Sequence, residues 1–205
     1  MKKKISLLVF LLKNLRDRSC FCSEAHIQKI VYLASKLFDV PFGYTFTLHK
    51  NRVHSFQLTD EISDLCVDGI IESCPDPIYG SSFTTGKIVF AKDNSVNDET
   101  EEDENKISFL TTWLAKKKVV ELESISLVAF ISEKKSLKLN EKNEAILKEV
   151  NTFFPSYSQE KIFASIQELN RIIENFEKSV QNSHSHFGSP LKDYDNKNFA
   201  LNVPL

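Results

Sequence analysis

The chain has 205 residues, 41% hydrophobic and 26% charged, with a formal net charge of −2. Sixteen Phe supply ample core material, enough for one large soluble domain or a domain with an appendage. The overall balance lacks the basic excess of a protein that lives on nucleic-acid phosphates and leaves only a local patch for that role.

The opening "MKKKISLLVFLL" has the basic head and apolar run of a signal peptide. Lys13, Arg16 and Arg18 follow at once, no small-x-small cleavage site appears, and the run is too short to span a bilayer. A first core helix over 3–17 is expected, with Ile5, Leu8, Leu12 and Leu15 inward. Cys20, Cys22, Cys66 and Cys74 read as reduced thiols in a cytoplasmic protein that makes no use of a membrane. Ser23 is placed to cap a second helix running to 38, with Ile27, Ile30, Val31, Ala34 and Leu37 as its stripe. Pro41 and Gly43 break the chain. Residues 44–48 alternate as a strand, and a short linker follows. Thr59 is expected to cap a third helix over 60–70, its acids lying at the positive end of the dipole. Strands from Ile70-Ile71 and over 87–91, on either side of a Pro, Gly and Ser-rich loop, suggest a β-wing.

Residues 93–105, "DNSVNDETEEDEN", read as a solvated acidic loop. Helices are expected over 106–117, 119–133, 141–153 and 159–178. The last is capped by Ser158 and carries an Ile162, Ile166, Leu169, Ile173, Phe176 stripe. The expected fold class is mostly α with a small β-wing (α+β). A winged-helix-like unit spans 1–92, and a helical unit over 106–180 packs on it. Residues 181–205 form a flexible or partner-bound tail.

Catalytic signatures are sparse. There is no HExxH, GxSxG or Walker loop. Cys20, Cys22 and His26 with a distant cysteine are a weak zinc set without a paired CxxC, and Cys22 with His26 is a nucleophile pair lacking an orienting motif. His184 and His186 sit in a polar tail. Trp113 reads as a core-edge residue and Lys116, Lys117 and Lys118 as a helix-terminal cluster. No enzyme, cofactor or metal site is expected.

Several segments fit one group. "IQKIVYLASKLFDVPFGYTFTLHK" resembles the opening of the YwgA-like and SocA-like (Panacea) antitoxin-related proteins, in which an xKLVYL helix precedes an aromatic strand. "SFQLTDEISDLCVDGIIE", "VVELESISLVAFI" and "FFPSYSQEKIFASIQEL" are similar to later segments of that family. Its Tyr-Gly-Pro-Tyr-Ser loop stands here as Asn51-Arg52-Val53-His54-Ser55, with Ser55 the clearest match. The resemblance implies a non-enzymatic protein associated with toxin neutralisation, mobile-element biology or phage defence.

The helix at the position of a DNA-recognition helix carries Asp60, Glu61, Asp64 and Asp68 and no Lys or Arg. Such a face repels phosphate and lacks the usual base-reading cations. The expected partner is therefore an effector or toxin protein with a basic surface, met by those acids together with Arg52, His54 and Phe56. Lys50, Arg52 and His54 are alternatively a basic flank that orients the acidic helix, an exposed pairing worth under about 1 kcal/mol. A DNA-binding winged-helix regulator is the competing expectation, with contacts from the wing, Lys2–Lys4 or Lys116–Lys118.

Overall fold

A computed structural model describes residues 2–18, 22–76, 80–85, 98–135 and 143–185. These form seven helices and two two-stranded antiparallel sheets, and 71% of them are helical. The chain divides into two compact units, Met1–Ser126 and Leu127–Leu205.

In the first unit α1 (Lys2–Asp17) buries Leu7, Leu8, Leu11, Leu12 and Leu15. That stripe is wider than the expected one, and Ile5 is only half-buried, because α1 packs against both the helix Asp98–Leu114 and the strand Gly80–Thr85. α2 (Glu24–Leu37) is the central helix. Everything from His26 to Ala34 is buried, polar residues included. Ser23 caps it as expected, accepting from the His26 N–H.

The chain then forms a hairpin that was expected as one strand and a linker. β1 (Thr47–His49) pairs with β2 (Arg52–His54), Leu48 opposite Val53. Lys50 and Asn51 turn it with φ of 48° and 64°, the signs that a type I′ hairpin turn demands. α3 (Phe56–Val67) follows directly. Its cap is Ser55 rather than Thr59, so the helix starts a turn earlier than expected, and Asp60 and Glu61 lie beyond its first turn. A local reading favoured Thr59 because acids follow it. In the fold Thr59 is drawn into a hydrogen-bond network with α2, and Ser55 accepts from the Leu58 N–H. Gly69, at φ 70°, ends the helix. Its N–H reaches the Cys66 carbonyl, and the Ile70 N–H reaches that of Leu65. This left-handed cap costs a β-carbon-free residue little.

β3 (Ile71–Asp76) and β4 (Gly80–Thr85) make the wing, with Ile71 opposite Thr85. The second wing strand was expected over 87–91, which lies outside the described residues. β4 pairs back onto the segment before α2: Ser23 bridges Ser82, and the Phe83 N–H donates to the Cys22 carbonyl at 2.7 Å. The order α1, strand-like 22–23, α2, α3, wing is that of a winged helix, with α3 in the recognition position and the β1–β2 hairpin inserted before it.

α4 (Asp98–Leu114) begins inside the run expected as a loop over 93–105. Acids near a helix N-terminus are favourable, and Asp103 is buried against Lys3 at 3.2 Å. Residues 93–97 lie outside the described set. Ile107, Leu110 and Leu114 turn into the core beside α1 and α2, which places α4 in the first unit. The division falls within α5 (Val119–Lys134), not in the acidic run.

The second unit holds the end of α5, α6 (Asn143–Phe153) and α7 (Gln159–Ser185). α6 packs against α7, and Lys135 meets Glu149 at 3.2 Å. Ser158 caps α7 through the Lys161 N–H. Ile162, Ile166, Leu169 and Ile172 are fully buried, with Ile173 and Phe176 only half-buried. The helix continues to Ser185, past its expected end at 178. Residues 186–205, which hold most of the expected tail, lie outside the described residues.

Candidate functional site

The outward face of α3 follows from its spacing. Leu58, Ile62 and Leu65 are buried, so residues about half a turn round must face solvent. Phe56, Asp60, Ser63, Asp64 and Val67 share that face and are exposed, Phe56 by 55% and Val67 by 87%. Asp68, the C-cap, is also exposed. Asp60, Asp64 and Asp68 have no ion-pair partner among the described residues. Glu61 is different. It turns back toward α1, meeting Lys4 Nζ at 2.6 Å, and Lys4 also lies 4.0 Å from the centre of the Tyr44 ring.

The face is held by a buried polar clamp from α2. Gln28 spans the β2–α3 junction. Its Nε2 donates to the Ser55 carbonyl and its Oε1 accepts the Ser55 N–H, each at 2.9 Å. Glu24 Oε1 accepts from the Thr59 hydroxyl at 2.6 Å. Lys29 Nζ donates to the Val53 carbonyl at 2.7 Å. A bond that satisfies a buried backbone group avoids a desolvation penalty of about 1–3 kcal/mol. The clamp therefore fixes the hairpin and the first turn of α3 together. Burial pushes the Lys29 ammonium down to about 8 from its ordinary 10.5. Arg52 adds to the lowering, while Glu123 and Glu24 oppose it.

Outside the clamp, Phe56 sits between two imidazoles, 5.1 Å from His49 and 4.8 Å from His54, both edge-on. Burial holds His54 below the usual imidazole range, against the pull of Glu24. Arg52 leans across to α5, its Nε 3.2 Å from Glu123. Between α2, this hairpin and β4 lies a cleft of about 820 Å³ whose walls include Lys29, Arg52, His54 and Glu123.

The fold thus brings Arg52, His54 and Phe56 to the hairpin end of α3, and Asp60, Asp64 and Asp68 along its length. Arg52 pairs with Glu123, not with the α3 acids, and Glu61 serves the α1 contact. Sequence reasoning missed Glu24, Gln28, Lys29 and Glu123. The available signal was Gln28-Lys29 breaking an otherwise apolar run in α2. His26 is engaged by Ser23 Oγ at 2.9 Å and by the Lys117 backbone. No group of three or more potential metal ligands occurs among the described residues, and Cys20 and His186 lie outside them. Trp113 is half-buried beside Phe109 at the edge of the core. None of the helices among the described residues is long and apolar enough to cross a membrane. Compared with known proteins, the chain matches no family model, no curated protein and no solved structure.

Proposed function

We propose that this chain is a non-enzymatic, cytoplasmic protein-interaction module, antitoxin-like or an accessory subunit of a defence or mobile-element assembly. It binds an effector or toxin protein that presents a basic surface. The carrying observation is the exposed, ion-pair-free Asp60, Asp64 and Asp68 on a helix in the recognition position of a winged helix. A duplex meets repulsion there, whereas a cationic protein surface is steered toward it. Phe56 supplies the apolar anchor that charge alone does not, and aromatic residues are enriched among interface hot spots. The resemblance of "IQKIVYLASKLFDVPFGYTFTLHK" to the Panacea antitoxin-related proteins supports the same reading.

The test is affinity capture at endogenous level from the native host, wild type against Asp64→Lys/Asp68→Lys. Loss of a stoichiometric protein on charge reversal, with an unchanged circular dichroism spectrum, supports the face. Equal recovery by both rejects it. The winged-helix order favours one second reading, a DNA-binding regulator that contacts the duplex through the wing. That reading requires a gel shift with steep salt dependence.

A further inference from the structure

The cleft beside the hairpin is distinct from the outward face of α3, and its cations have unused capacity. Lys29 is 2% exposed, yet only the Val53 carbonyl accepts from it among the described residues. An ammonium has three donors, so two remain open. Glu24 and Glu123 act on Lys29 as neighbouring charges without closing an ion pair on it. Arg52 meets Glu123 at Nε, 3.2 Å from Oε1. Its two terminal amino groups, the fork that matches an oxyanion, make no hydrogen bond among the described residues. Lys29, Lys50 and Arg52 line the cleft together with Glu24 and Glu123, so its lining is net positive before any histidine takes a proton. The volume, about 820 Å³, lies within the range of small-molecule sites, about 300–1,000 Å³.

We infer that this cleft binds the phosphate group of a small phosphorylated metabolite, gripped by the Arg52 fork from the hairpin and the Lys29 ammonium from α2. A carboxylate is planar and is satisfied by a guanidinium fork alone. A fork and a point charge arriving from separate elements suit a tetrahedral group with several terminal oxygens. Phe83, on the β4 wall, offers an apolar surface to the rest of the molecule. The site shares none of Asp60, Asp64 or Asp68 with the proposed protein-binding face, although Arg52 stands at the hairpin end of both.

The experiment is calorimetric titration of the full chain with inorganic phosphate, a nucleoside 5′-monophosphate and acetate. Both phosphates are expected to bind at the same site in competition, and acetate to bind at least about tenfold more weakly. Arg52→Gln, at a side chain 63% exposed, with the fold checked by circular dichroism because Glu123 loses its partner, is expected to weaken phosphate by about tenfold or more. Asp64→Lys, on the other face, is expected to leave it unchanged, so that loss of the protein partner and loss of the phosphate site are separable. Absence of phosphate binding, acetate binding as tightly as phosphate, or unchanged affinity in Arg52→Gln overturns the assignment.

Discussion

Lys29 shows how one residue can couple charge to stability. Its ammonium is buried, and its folded pKa, about 8, lies below the ordinary 10.5. Between those values the unfolded chain holds more protons than the folded one, so stability rises as pH increases through the window. At pH 7 both states are protonated, and that stability has not yet appeared. Wild type is expected to gain roughly 2 kcal/mol between pH 7 and pH 9.5 relative to Lys29→Met, read from urea midpoints. Parallel pH profiles for the two proteins would contradict this. Gln28 is a sharper case, since its Oε1 is what accepts the buried Ser55 N–H, while its Nε2 shares the Ser55 carbonyl with the Thr59 N–H. Gln28→Ala leaves that N–H buried and unpaired and is expected to cost about 1–3 kcal/mol by urea denaturation. A loss under about 0.5 kcal/mol would show that the clamp is not structural.

At the scale of elements, the β1–β2 turn places two non-glycine residues at positive φ. Asn51→Gly is expected to stabilise the protein by a few tenths of a kcal/mol, and Lys50→Val to cost about 1–2 kcal/mol, both by thermal melting. The Lys4–Glu61 bridge ties α3 to α1. Glu61→Gln is accordingly expected to lower stability by up to about 1 kcal/mol while leaving partner capture intact, unlike Asp64→Lys. These elements also mark the boundary of what a local reading of the chain recovers. α2, α5, α6 and α7 were legible because apolar residues repeat at helical spacing and Ser23 and Ser158 stand at the caps. The start of α3 was not, because Thr59 and Ser55 are equally good caps in isolation and only Gln28, far away in sequence, selects Ser55. The start of α4 was hidden for a similar reason, since Asp103 becomes a core residue only through Lys3. The acidic stripe of α3 was readable as composition. The inward turn of Glu61 and the pairing of Arg52 with Glu123 were not, as both depend on long-range neighbours.

Across the whole molecule, a net charge of −2 conceals a local division of charge in the first unit. Acids line the outer face of α3, and cations gather in the cleft beside the hairpin. Association with a basic protein through α3 is therefore expected to slow as salt rises, because exposed charges are screened beyond about 8–10 Å at physiological ionic strength. The decisive measurement pairs two binding assays on the wild-type chain and the Asp60→Lys/Asp64→Lys/Asp68→Lys variant: capture of the native protein partner, and retention of duplex DNA at about 50 mM salt. The account predicts that wild type retains a stoichiometric protein and no duplex, and that the variant loses the protein. Duplex retention by wild type, or the same protein held equally by both, would contradict it.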